Sequence, residues 1–250
     1  MDLELTGKRA IVTGGSRGIG KAVARQLLAE GAVVGIAARD QARIDAAVAE
    51  LSAGGGRVAG RSCDTTDDDS VRAMVAALVG ALGGVDILVN AAAMPGGVAP
   101  PPTLLDVTTE ALWTEVNTKV MGYLRCAREV APAMVAQGWG RIVNVSGLAA
   151  RQTGNLLGSV RNVSVAALTK NLADELGPHG VNVTVVHPGA TRTERTGDEA
   201  AARATGNVIG RMVDADEVAA VVTFLASPRS ASITGDAIAC GGGARGAIHY

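Results

Sequence analysis

Short runs of consecutive apolar residues alternate along this chain with longer runs in which alanine, leucine and valine recur among charged positions. The short runs are Arg9–Thr13, Val33–Ala37, Arg57–Cys63, Ile87–Asn90, Arg141–Ser146, Val181–His187 and Ala237–Cys240. They do not alternate apolar with polar, so they predict parallel strands buried on both faces. The longer runs predict helices over Gly18–Glu30, Gln41–Ser52, Asp68–Leu82 and Thr109–Gln137, one more ending near Leu176, and a last one over Ala215–Ala226. Repeated strand–helix alternation implies right-handed βαβ units. The fold class expected is therefore α/β: a single Rossmann-like, doubly wound domain over residues 1–250, with helices on both faces of a mostly parallel sheet. Two irregular stretches interrupt the rhythm. Ala93–Thr103 is rich in proline and reads as a loop on the active face. Residues 190–213 follow a strand and read as a substrate loop, with an ordinary surface excursion as the alternative.

Bulk properties narrow the function. Apolar residues make up 48% of the 250 and charged residues 19%, which suits a folded domain with a sizeable core. The formal net charge of −1 gives no electrostatic case for nucleic acid or an acidic membrane, and aromatics at 2% leave few stacking platforms. Cys63, Cys126 and Cys240 are odd in number and far apart, which argues against a disulfide framework or a metal cluster. No apolar run approaches the ~20 residues of a membrane span. A soluble cytoplasmic protein with a small-molecule substrate, no metal, no nucleic acid and no membrane partner is the expectation.

The chemistry begins at Thr13-Gly14-Gly15-Ser16-Arg17-Gly18-Ile19-Gly20, between a strand-like and a helix-like run. Glycine permits positive φ and close backbone approach, and the helix that follows points its free N–H groups at an anion. In this context the three glycines Gly14, Gly18 and Gly20 predict a dinucleotide phosphate site.

Further motifs follow in order: Cys63-Asp64, Asn90-Ala91-Ala92-Ala93, Asn117, Ile142-Val143-Asn144-Val145-Ser146, Leu168-Thr169-Lys170 and Pro188-Gly189-Ala190-Thr191-Arg192-Thr193. In this order and spacing the chain resembles the short-chain dehydrogenase/reductases over essentially its whole length. The resemblance implies a seven-stranded sheet, a nicotinamide cofactor and a homo-oligomer, tetramer or dimer. It implies that Gly14, Ser16, Arg17, Ile19 and Gly20 surround the pyrophosphate and adenosine ribose. Asp64, with Thr65, would meet the adenine; a turn or helix-capping role is the alternative for Asp64. Asn90, Ala91 and Ala92 would lie near the ribose, Pro188, Gly189 and Thr191 would shape the turn beside the nicotinamide, and Thr193 would meet its carboxamide. The position that holds a carboxylate in NAD enzymes of this kind looks like Ala38, followed by Arg39. With Arg17 it offers cations suited to a 2′-phosphate, so NADP(H) is favoured over NAD(H), Asp40 one position later being the competing feature.

The family's catalytic pattern is incomplete. Counting back from Leu168-Thr169-Lys170 places Gly158 where the resemblance expects the proton-exchanging tyrosine and Asn162 where it expects the lysine. The chain's tyrosines are Tyr123 and Tyr250. Ser146 and Asn117 remain as catalytic candidates, Ser146 with a structural strand-end role as the alternative. Arg151 and Arg161 lie near the expected site, either as electrophiles or as ordinary surface charges. His187 reads as a hydrogen-bonded strand-end histidine rather than a base. Two functions stay open: an oxidoreductase moving hydride to or from a small carbonyl, alcohol or activated alkene with an atypical active site, and an inactive dinucleotide-binding sensor or assembly protein.

Overall fold

The computed structural model describes residues 1–94, 102–194, 196 and 206–244. The chain begins β1 (Arg9–Thr13), α1 (Gly18–Ala29), β2 (Val33–Ala38), α2 (Gln41–Ser52), β3 (Val58–Ser62), α3 (Asp68–Leu82) and β4 (Ile87–Asn90). Then come α4 (Thr109–Glu115), a π-helical segment (Val116–Met121), α5 (Gly122–Ala136), β5 (Gly140–Val145), α6 (Leu156–Leu176) and β6 (Val181–Pro188). It closes with β7 (Thr191–Arg192), β8 (Val213–Asp214), α7 (Ala215–Leu225) and β9 (Ala237–Cys240). Seven strands form one parallel sheet in the order β3-β2-β1-β4-β5-β6-β9, with β7 and β8 paired apart from it.

The continuous apolar runs make sense in cross-section. Neighbouring residues of a strand point to opposite faces, and helices cover both. Val12, Val89 and Val143 pack with Leu27 of α1, Ile44 of α2 and Val222 of α7. Their neighbours Ile11, Leu88 and Ile142 pack on the other face with Met74 of α3, Val130 of α5 and Leu176 of α6. The chain moves from β1 out to β3 and then returns to β4 on the far side of β1. That reversal opens a crevice at the carboxyl ends of β1 and β4, where ligands of such sheets bind. Register aligns Thr13 with Ala37 and Asn90, and Asn90 with Asn144, in one row at that edge.

Caps explain most helix starts. Asp67 accepts from two backbone N–H groups of α3, Thr108 from one of α4 and Asn155 from one of α6, while Asp214 and Glu217 form a capping box at α7. Asn155 defines the start of α6 that hydrophobic pattern alone left open. The long helix expected over Thr109–Gln137 is interrupted at Val116–Met121, where π geometry takes an extra residue into the turn. The short β7–β8 ladder, with Thr191 opposite Val213 and Arg192 opposite Asp214, was not legible as strand; it ties together the two ends of the 190–213 stretch. The middle of that proposed substrate loop (195 and 197–205), most of the proline-rich stretch (95–101) and Tyr250 lie outside the described residues. Among the described residues no helix is long and apolar enough to cross a membrane.

The strands β1 and β4 are anchored at their amino ends by Arg9 and Asp86. The guanidinium donates to both carboxylate oxygens at 2.7 Å, and the Arg9 backbone N–H adds a third bond at 2.8 Å. Burial pushes the Asp86 pKa up, but the Arg9 hydrogen bonds outweigh it and hold the carboxyl below its ordinary value. A depressed folded-state pKa contributes stability above the unfolded value, and that contribution is lost as pH falls through the folded one. Asp86→Asn is expected to lower stability by about 1–2 kcal/mol at pH 7 in urea unfolding, with the gap to the parent closing below about pH 4.

Candidate active site

The carboxyl ends of β1, β2 and β4 open on a cleft of about 300 Å³. Its floor is the turn after β1. Gly14 has φ +68°, and a Cβ there would stand 2.6 Å from the Ala91 carbonyl oxygen. A Cβ on Gly20 would stand 2.3 Å from the Gly14 carbonyl oxygen. The Thr13 hydroxyl holds the facing loop by accepting from the Ala91 and Ala92 N–H groups at 3.2 and 3.4 Å. The turn therefore has room only for hydrogen at these glycines.

The amino end of α1 faces this floor. Its capping residue, Arg17, gives no side-chain cap to the helix. In place of a cap, the Gly18 N–H donates at 2.8 Å to a carboxylate oxygen of Glu194, which comes from beyond β7. A remote anion thus sits on the helix end, as the positive end of the dipole favours.

Most residues expected to bind a cofactor meet here. Gly14, Ser16, Arg17, Ile19 and Gly20 line one wall, and Arg39, Asp64 and Thr65 line another. Ala91, Ala92, Ser146 and Thr193 complete the part that the sequence foresaw. Asp64 also serves the turn: one of its oxygens accepts from the Thr66 N–H and hydroxyl at 2.9 and 2.8 Å, and that bonding holds its pKa low against burial.

Other candidates sit elsewhere. Asn90 is fully buried behind the cleft, where its amide donates to Asn144 at 3.0 Å, and Asn144 donates in turn to the Thr169 hydroxyl at 3.0 Å. This amide chain ties β4 to β5 and α6. Pro188 ends β6 and Gly189 packs on Gly241, while the Thr191 hydroxyl donates to the Gly189 carbonyl at 3.0 Å; none of the three lines the cleft. Asn117, too, lies off the cleft, and its side-chain oxygen is buried without a hydrogen bond. Within the π segment, Thr118 and Lys119 rather than Asn117 reach the cleft wall.

Lys119 was missed by sequence reading, since a lysine in a helix is read as solvated. It is 4% exposed. Its Nζ donates to the Ser146 carbonyl at 2.9 Å and to the Asn162 side-chain oxygen at 3.2 Å. Four residues on, Tyr123 donates its hydroxyl to the Val145 carbonyl at 2.8 Å. The two side chains grip the carboxyl end of β5. The signal for Lys119 in the sequence was one lysine followed by the apolar pair Val120 and Met121.

The remaining charges are structural. Arg161 pairs with Glu115 across α6 and α4, and Arg151 donates to the Ala237 carbonyl at 2.7 Å, so neither guanidinium is aimed at the cleft. Burial first, then Arg151 and Lys119, push His187 down to about 4, which leaves its imidazole neutral. Gly158 and Asn162 are both buried on α6, the Gly158 N–H held by the Asn155 cap at 2.8 Å and the Asn162 carbonyl accepting from the Ser146 hydroxyl at 3.2 Å.

The chain is similar to known proteins in sequence and fold. The family model for short chain dehydrogenases matches residues 8–204. The chain belongs to the short-chain dehydrogenase family. It is 36% identical over 247 residues to the short-chain reductase protein NovJ of Streptomyces niveus, covering 94% of this chain and 92% of that one. It is 33% identical to the 3-oxoacyl-[acyl-carrier-protein] reductase FabG of Vibrio harveyi, covering 96% and 98%. A short chain dehydrogenase from Burkholderia cenocepacia, solved in complex with NADP, superposes with a TM-score of 0.84 at 35% identity, covering 96% and 98%. As a short-chain dehydrogenase the chain is an oxidoreductase with a nicotinamide dinucleotide as cofactor, and the residues present fit one: a glycine cradle that any Cβ would fill, and a helix end already donating to an anion.

Gly20→Ala is expected to abolish dinucleotide binding while circular dichroism still reports a folded chain. Glu194→Gln should tighten dinucleotide affinity by about threefold to tenfold in fluorescence titration, because a weaker internal acceptor then competes for the Gly18 N–H.

Proposed function

We propose that this short-chain dehydrogenase is an NADP(H)-dependent reductase of small carbonyl compounds, a ketone on a chain or ring being the expected substrate, with an atypical active site. The observation that carries the cofactor choice is the pair Arg39 and Asp40. Asp40 is engaged: it caps α2 through the Arg43 N–H at 3.2 Å and pairs with the Arg43 side chain at 3.1 Å. Arg39 lines the cleft, is exposed, and makes no hydrogen bond or salt bridge with a described residue. A guanidinium at this place, with Asp64 the carboxylate that feels its charge, suits a 2′-phosphate, whereas a bare ribose diol calls for a carboxylate. Ketone reduction is the reading that the resemblance to ketoacyl reductases supports.

Bound here, a reduced nicotinamide supplies hydride. The chain's own residues would hold the pyrophosphate at Gly14–Gly20, the 2′-phosphate at Arg39 and the adenine beside Asp64. Trp113, Val160 and Val163, large apolar side chains that α4 and α6 expose, support a homo-oligomer.

A second reading, a dinucleotide-binding protein without turnover, is favoured by Gly158 and Asn162 standing where the resemblance expects tyrosine and lysine. Restoring both by Gly158→Tyr and Asn162→Lys tests it. The variant also needs Lys119→Asn, because a lysine at 162 would meet the Lys119 amine. Turnover in the restored variant and none in the parent favours the second reading.

For the cofactor, Arg39→Ala is expected to weaken NADPH binding about tenfold or more with NADH affinity nearly unchanged, read by fluorescence titration. Equal losses for both cofactors would remove the argument for NADP(H).

A further inference from the structure

We propose that Lys119 is the catalytic proton donor of this site, delivering its proton from the cleft wall to the oxygen of a carbonyl substrate. The proposal rests on the reductase reading above and names the group that does its acid–base work.

The first argument is placement. The π segment turns Lys119 into the cleft, and such segments inside helices recur at functional sites. Burying a lysine costs several kcal/mol unless its N–H groups are satisfied. Two N–H groups are accounted for by the Ser146 carbonyl and the Asn162 side-chain oxygen. An ammonium has three, which leaves one for a group in the cleft. Asn162 matters here as an acceptor. It stands where the resemblance expects a lysine, and the amine that this site holds reaches it from the π segment across the gap to α6.

The second argument is elimination. Proton exchange near neutral pH needs a group whose pKa lies near it. Of the other titratable groups on the cleft wall, Cys63 is pushed up to about 11 by burial, Asp64 is held low by its turn, and the arginines keep their protons. Asp40 is engaged at the start of α2. Tyr123 is buried and donates to Val145, which burial reinforces by raising its pKa far above the ordinary value.

Electrostatics agree with the geometry. Burial disfavours the Lys119 ammonium, the Arg161 guanidinium on α6 adds to this, and Glu115 on α4 opposes both, bringing the group down to about 7. Glu115 is itself paired with Arg161. From β6 the neutral His187 faces it, and Arg151 lies beside His187.

The step balances. Reduction of a carbonyl forms a C–H bond with the hydride that the reduced nicotinamide supplies and an O–H bond with a proton. The N–H bond of Lys119 breaks to give that proton, and the neutral amine left behind regains one from water. The protonated form is therefore needed for reduction, so the rate should fall as pH rises through the lysine's pKa.

The chain has few lysines, Lys8, Lys21, Lys119 and Lys170, which makes a direct titration practical. Protein labelled with ¹³C at lysine Cε would be titrated by NMR, with Lys119→Met assigning the signal. The expected result is that the signal lost in Lys119→Met moves through neutral pH in the parent. A Lys119 signal that stays unmoved through neutral pH overturns the proposal.

NADPH oxidation over a panel of β-keto thioesters and small ketones supplies the second readout. Lys119→Met should lower kcat by about 10²–10⁴-fold and abolish the neutral pH dependence, with NADPH binding retained. Lys119→Arg should be as inactive, since a guanidinium keeps the charge and does not give up its proton. Turnover surviving in either variant overturns the proton donor alone. A parent that binds NADPH and oxidises it no faster than buffer across the panel overturns the reductase reading and the donor with it.

Discussion

Everything at the cleft depends on how closely three pieces of backbone approach one another beyond β1. The Gly14 turn lies against Ala91 after β4, and the first turn of α1 lies against Gly14, with no space for a Cβ at either contact. That closeness fixes the angle at which α1 leaves the sheet. It aims the free helix end across the crevice where the strand order reverses, and it seats Ala91 and Ala92 under the Thr13 hydroxyl. The two hydrophobic layers then hold the sheet rigid behind this contact, so that residues from β1, β2 and β4 share one wall.

The amide chain Asn90–Asn144–Thr169 extends the same order to the other side of the crevice. It runs through a buried region where an unmatched polar group is costly, so each member specifies the position of the next. The far wall, built from the end of β5 and the π segment, is thereby held at a set distance from the glycine turn. Lys119 and Tyr123 grip β5 by its last carbonyls and complete that wall from the helix side.

The fold was legible because local signals and burial agree. Ile11 and Val12 are adjacent and both buried, which only a sheet covered on two faces allows. Gln41–Ser52, Asp68–Leu82 and Ala237–Cys240 could be bounded to the residue, since Asp40, Asp67 and flanking glycines mark their ends. The convergence of the glycine turn and the Cys63-Asp64 pair on one cleft was legible for a similar reason: they act through backbone conformation, which sequence order carries. The opposite wall was not. Asn117 was chosen by residue type at an expected spacing, and the π segment that brings Thr118 and Lys119 to the cleft in its place leaves no mark in the hydrophobic pattern. Lys119 looks like a surface lysine until its Ser146 and Asn162 acceptors are seen, and those lie about thirty and forty residues away along the chain. Arg161 was judged by proximity in sequence, but its partner Glu115 comes from another helix.

The contact between Glu194 and Gly18 gives the site an internal tenant. A dinucleotide arriving at the helix end must evict a carboxylate that belongs to the protein, so the measured affinity is a difference between two bound states and lies below what the glycine turn alone would give. Glu194 stands two residues beyond β7, the strand that pins one end of the 190–213 stretch, so a dinucleotide that displaced it would act beside that stretch.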